Sequence, residues 1–199
     1  MKKILIAAAV GMLVAGHVAA QESPWLVRAR AVQLNMENKD STGLSLNVND
    51  KTIGEVDISY FFNKNVAAEL ILTLPQRQTV YAGSTGIGNF KHLPPTLTLQ
   101  YHFTDLGAYK PYVGAWLNYT KITGVKLSAG APLDPVTLDN HSYGAALQAG
   151  VDVPLSKQVS LNFDVKKVYI KTDVYSNGVN QGTLKLDPVL FGVGVGYRF

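Results

Sequence analysis

From Phe191 to the end the chain alternates without a break: Phe191, Val193, Val195, Tyr197 and Phe199 take every second position, with Gly192, Gly194, Gly196 and Arg198 between them. Side chains at period two fall on one face of a strand. One face of this strand is therefore continuously apolar and ends in an aromatic, while the other is nearly bare. A soluble sheet covers such a face with a second layer. A barrel in lipid turns it outward and keeps small and polar residues inside, which is the reading this pattern favours.

The start of the chain fits export. Lys2 and Lys3 precede the apolar run Ile4 to Ala15, and the small residues Val18, Ala19 and Ala20 follow. Residues 1–20 therefore read as a secretory signal cleaved after Ala20, with 21–199 as a single mature domain beginning at Gln21. The run is too short for a spanning helix. Of 18 Lys+Arg against 14 Asp+Glu, two lysines leave with the signal, so the formal charge falls from +4 to +2. No basic cluster points to nucleic acid. The absence of Cys removes disulfide and thiol chemistry. Stability must come from the fold, and a closed barrel satisfies every strand internally.

Alternation marks about eight segments long enough to cross a bilayer when tilted. They are Trp25 to Met36, Ile53 to Phe62, Val66 to Leu74, Thr96 to Phe103, Lys110 to Thr120, Ser142 to Val153, Val159 to Lys171 and Leu184 to Phe199. The expected fold is all-β, an eight-stranded antiparallel transmembrane β-barrel. Short connections at Asn63 to Asn65, Thr104 to Tyr109 and Pro154 to Gln158 alternate with longer ones rich in Gly, Pro, Asn and Ser. Short turns mark the periplasmic end and long loops the extracellular one. Trp25, Tyr60, Phe62, Tyr101, Phe103, Tyr109, Tyr197 and Phe199 gather at the short-turn ends with outward parity; Tyr119, Tyr143 and Tyr169 form a sparser upper set. Amphipathic aromatics favour the headgroup level, so these read as two girdles.

The stretches ISYFF at Ile58 to Phe62, AAEL at Ala67 to Leu70, HLPPTLTLQYHF at His92 to Phe103, KPYVGA at Lys110 to Ala115, LNYT at Leu117 to Thr120, Gly144 to Asp152, Asp187-Pro188 and the closing GYRF together resemble the outer membrane protein W family. The resemblance runs in order over the mature chain. It implies an outer-membrane barrel with a narrow, largely hydrophobic interior, associated with uptake of small hydrophobic molecules. A barrel of this kind is expected to have the assembly machinery and outer-membrane lipid as partners, with Tyr197 and Phe199 as the assembly signal.

Inward parity divides the lumen into two zones. The lower half and middle receive Arg28, Arg30, Asp57, Ser59, Glu69, Gln100, His102, Gln148, Asp152, Asp164, Lys166 and Arg198. Four cations face four carboxylates. Buried charges persist when paired and hydrogen-bonded, so Arg28, Arg30, Asp57, Glu69, Asp152, Asp164, Lys166 and Arg198 read as a polar floor that plugs the barrel, as side chains fill other barrels of this size. The upper half receives Val32, Leu34, Ile71, Trp116, Val168, Ile170 and Leu190. These form either a funnel for apolar solutes or a hydrophobic core under the loops. Glu55 interrupts this zone, and Lys166 stands at its lower border. A solute in such a funnel leaves more cheaply sideways into lipid than downward through charges. Pro94, Pro95 and Pro188 are candidate weak points in the wall, because proline removes a ladder hydrogen bond. The alternative is a structural or receptor barrel with a static lumen and loops that bind partners.

Nothing points to catalysis, a cofactor or a resident metal. His92, before the Pro-Pro pair, and His141, beside a loop, read as surface residues, and His102 as a hydrogen-bonding member of the floor. No Ser and His share a strand face at the outer interface, as a lipid hydrolase would need. The glycines of the last strand lack the helix that a dinucleotide fingerprint requires. The loop acids Asp40, Asp50, Asp134 and Asp139 are irregularly spaced for a divalent ion. Lys167 breaks outward parity, either snorkelling to headgroups or marking a bulge.

Overall fold

The structure, a computed structural model, describes residues 23–93 and 96–199. The segment read as a signal, and Pro94 and Pro95, lie outside the described residues. Fifteen strands follow in chain order. They are β1 (Trp25–Asn35), β2 (Lys39–Asp40), β3 (Leu46–Val48), β4 (Lys51–Phe61), β5 (Val66–Thr73), β6 (Gln76–Ala82), β7 (Thr85–Leu93), β8 (Thr96–His102), β9 (Lys110–Leu127), β10 (Val136–Leu138), β11 (His141–Pro154), β12 (Val159–Val168), β13 (Lys171–Ser176), β14 (Val179–Lys185) and β15 (Val189–Arg198).

Eight of these close the barrel in the order β11-β12-β15-β1-β4-β5-β8-β9, and β9 pairs back onto β11. All pairs are antiparallel, and the β9–β11 pairing closes the sheet on itself. The alternation read from the sequence sets the register. Glycines 192, 194 and 196 face Val32, Arg30 and Arg28 of β1, while Phe191, Val193 and Val195 point to lipid. Leu117, 90% exposed, and Leu97, Leu99, Val113 and Leu147 continue the apolar outer face. Both girdles form. At the short-turn end Trp25 packs edge-on to Tyr60 at 4.9 Å and Tyr197 to Phe199 at 5.0 Å. At the loop end Tyr119 and Tyr143 lie 5.2 Å apart.

The structure departs from the sequence reading at the loop end. The last barrel strand begins at Val189, not Leu184, which belongs to β14. Strand β12 likewise ends at Val168, short of Lys171. Between them Asp187 turns the chain with a φ of 33° and accepts the Ile170 N–H through its carboxylate at 2.9 Å. Strand β9 runs on to Leu127, well past Thr120. Much of the long connections is strand as well. Asn177 and Gly178, both with positive φ, make the tight turn of the β13–β14 hairpin. The β6–β7 hairpin docks on the upper part of β9. Gly, Asn and Ser here end strands rather than dissolving them.

Candidate solute site in the barrel interior

The floor is one connected network. Arg28 grips Asp152 with two bonds of 3.2 and 2.6 Å, donates to Ser59 and Glu69 at 3.1 Å each, and lies over the Tyr112 ring. Arg30 reaches Glu69 at 2.7 Å, Asp57 at 2.9 Å, Asp164 at 3.2 Å and Glu55 at 3.3 Å. Lys166 bridges Glu55 and Asp164. Gln100 and Gln148 both donate to Glu69, and Gln148 also to Asp164. The Tyr112 hydroxyl donates to Asp164 at 2.9 Å, and Asn162 donates to that hydroxyl and to Asp152. His102 hydrogen-bonds Gln100 and stacks on Tyr112. These groups exclude a water-filled channel at this level, because nearly all are fully buried.

Two placements differ from the sequence reading. Glu55 does not interrupt an apolar zone; Lys166 and Arg30 draw it into the top of the network. Arg198 lies at the short-turn rim, where it donates to the Ser23 carbonyl at 2.9 Å and covers the Phe61 ring at 4.2 Å. The described network thus sets Arg28, Arg30 and Lys166 against Glu55, Asp57, Glu69, Asp152 and Asp164. Sequence reasoning missed Tyr112 and Asn162. Tyr112 shares the parity of Trp116 and faces Gly150 across the ladder, a large and small pair that could have revealed it.

Above the floor, Val32, Leu34, Ile71, Trp116, Val168 and Ile170 are buried and Leu190 is half-buried, all on the inward face. Trp116, Val168 and Ile170 join one apolar cluster with Leu46, Val48, Val80, Phe90, Val136, Leu138, Val174 and Leu184 from the loop strands, and Leu190 packs against it. The loops therefore roof the upper lumen. The same roof brings polar groups that the sequence reading did not place there. Gln78 and His92 are buried, and neither the Gln78 amide nor either His92 ring nitrogen has a hydrogen-bond partner among the described residues. His92 is thus no surface residue: register with Gln76 and Ile122 turns it inward beside Phe90. His141 is exposed as expected.

One stretch of the wall beside this zone lacks registered pairing among the described residues. The β8–β9 register covers His102↔Tyr112 to Leu99↔Ala115, and the β7–β9 register includes Leu93↔Lys121. Leu97 and Thr98 have no registered partner on β9 among the described residues, and neither Thr98 Oγ1 nor Trp116 Nε1 has a hydrogen-bond partner. Pro188 marks no such break, since its carbonyl accepts the Val168 N–H at 3.1 Å.

Comparison with known proteins also returns outer-membrane proteins. The OmpW family model matches residues 15–199. The chain belongs to the OmpW family. An uncharacterized outer-membrane protein of Sinorhizobium fredii is 44% identical over 192 residues, covering 92% of this chain and 82% of the relative. Outer membrane protein W of Escherichia coli is 33% identical with full coverage of both chains. The dibenzothiophene metabolism operon protein PahQ of Pseudomonas aeruginosa is 27% identical over 90% of each chain. Among solved structures, the crystal structure of OprG from Pseudomonas aeruginosa superposes with a TM-score of 0.73 at 22% identity, covering 92% of this chain and 99% of the other. This OmpW-family barrel is an outer-membrane protein embedded in the bilayer.

The other candidates resolve as structural parts. Asp40 accepts from the Thr42 and Leu46 amides, Asp50 from the Met36 amide and Asp134 from the Ser128 hydroxyl and two amides, so each holds a turn. The described residues contain no group of three or more metal-ligating side chains. Lys167 stays in register, so it marks no bulge; it pairs with Glu37 and lies over the Tyr169 ring.

Proposed function

We propose that this barrel lets small, largely apolar molecules pass from outside into the outer membrane, and that they leave sideways between β8 and β9. The observation that carries this reading is that Leu97 and Thr98, next to Trp116, have no registered partner on β9 among the described residues. Below this stretch the charged floor opposes any apolar solute, because a guest there would displace hydrogen bonds to buried ions. Beside it, Leu97 and Leu117 open onto continuous hydrocarbon, where an apolar solute gains the most. Val32, Leu34, Ile71, Trp116, Val168, Ile170 and Leu190 form the solute path in this reading. The name of PahQ, tied to metabolism of an apolar aromatic, supports the same substrate class.

A second reading, a structural or receptor barrel with a static lumen, draws on the continuity of the apolar cluster from Trp116 into the loop strands. One experiment separates the two. The chain has no cysteine, so Leu97→Cys with Leu117→Cys gives a single cross-linkable pair facing lipid on either side of this stretch. Cells carrying the reduced variant should take up a small apolar compound as wild type does. Closing the pair with oxidant or a short thiol cross-linker should abolish most of that uptake, and reductant should restore it. Uptake unchanged by the cross-link would refute sideways exit. No uptake above barrel-free cells by the wild type would favour the static reading.

A further inference from the structure

We infer that the outer rim of the barrel binds the phosphate groups of anionic lipid headgroups in the outer leaflet, at a site centred on Lys171 and Lys185. The two lysines are direct cross-strand partners in the β13–β14 hairpin, and Lys185 is also directly opposite Lys39 on β2. Like charges facing each other across a ladder destabilise it. Neither Lys171 nor Lys185 has an ion pair among the described residues that would relieve this. A cavity of about 210 Å³ lies beside them, lined by Tyr143, Tyr169, Ile170, Lys171, Lys185 and Asp187. Asp187 also lines the cavity, but its carboxylate accepts the Ile170 N–H and forms no ion pair with either lysine among the described residues.

The height of this cavity selects the ligand. Tyr143 and Tyr169 belong to the upper girdle, so the lysines stand at the headgroup level, where anionic groups of the outer leaflet lie. The same arrangement recurs around the rim. Arg77 and Lys91 are direct cross-strand partners, exposed and without ion pairs among the described residues. Lys121, opposite His141, projects outward two residues above the Tyr119↔Tyr143 pair. Among the described residues no acid forms an ion pair with Lys171, Lys185, Arg77, Lys91 or Lys121; Glu37 pairs instead with Lys39 and Lys167. A phosphate between two opposed lysines turns a repulsion into two charge-assisted contacts.

The test uses the full barrel refolded into vesicles of neutral phosphatidylcholine, with and without phosphorylated lipid A. Wild type should gain thermal stability as lipid A is added. Lys171→Gln with Lys185→Gln should fold normally in neutral vesicles, where it relieves the repulsion, and should bind lipid A about thirtyfold more weakly. Dephosphorylated lipid A should give no stabilisation. Stabilisation of both proteins alike by lipid A, or of neither, overturns the proposal. So does an equal effect of inorganic phosphate alone, which would assign the site to free anions. If the double variant fails to fold in neutral vesicles, the lysines are structural and the proposal also falls.

Discussion

Replacing Arg30 with Met tests whether the floor stands as a paired network. The substitution keeps the aliphatic stem but removes a guanidinium that faces Glu55, Asp57, Glu69 and Asp164 within 3.3 Å. Three cations oppose five carboxylates in the described network before the change and two afterwards, with Arg30 and Glu69 fully buried at their side chains. Removing one partner of a buried ion pair costs about 3 to 5 kcal/mol, because the remaining charge keeps its desolvation penalty without its compensation. Four contacts place Arg30→Met at the upper end of that range. Urea unfolding of the refolded barrel in lipid vesicles, followed by tryptophan emission and by the heat-dependent shift in gel mobility, measures it. A double change with Glu69→Gln should recover part of the loss, since the two groups compensate each other. Unfolding of Arg30→Met at the wild-type urea midpoint would refute the network and show that the floor carboxylates are solvated.

Deleting Phe199, read as an assembly signal, should reduce the amount of barrel in the outer membrane; wild-type yield with normal heat-modifiable mobility would remove that role. Gly150→Ala should destabilise by about 1 to 3 kcal/mol, because its Cβ would lie 2.4 Å from the Tyr112 ring and 2.8 Å from the Phe163 carbonyl. Far-ultraviolet melts read that loss, and a wild-type melt would show that Tyr112 can move aside. His92 lies in the β6–β7 hairpin beyond the upper girdle, and burial, reinforced by Lys51, pushes its pKa down to about 4. Its folded pKa is below the unfolded value near 6.5, so the unfolded chain binds more protons between them and stability falls as pH drops from about 6.5 to about 4, by about 3 kcal/mol. His92→Leu should flatten that segment of the pH-stability curve; an unchanged curve would place His92 in water.

Alternation at period two was enough to read the barrel, its strand count, its girdles and the sorting of inward from outward residues. The reason is physical: in a strand that faces lipid on one side, every second side chain is decided by a single solvent, so parity alone fixes its face. Arg28, Arg30, Asp57, Glu69, Asp152, Asp164 and Lys166 were legible as floor residues on the same ground. Which of them pair was not, because the pairings cross the lumen between strands far apart in sequence, as Arg28 with Asp152 and Lys166 with Glu55 show. Parity gives a face but neither depth nor partner. Only the closed barrel set Glu55 in the network and Arg198 at the rim. The roof was hidden for a related reason: loop strands are short, and their alternation means nothing until a barrel rim exists for them to extend, so His92 and Gln78 read as surface residues or went unnoticed. The stretch without registered pairing beside Trp116 belongs to tertiary structure as well. A ladder is a relation between two strands, and the sequence of either one alone does not say where their hydrogen bonds stop.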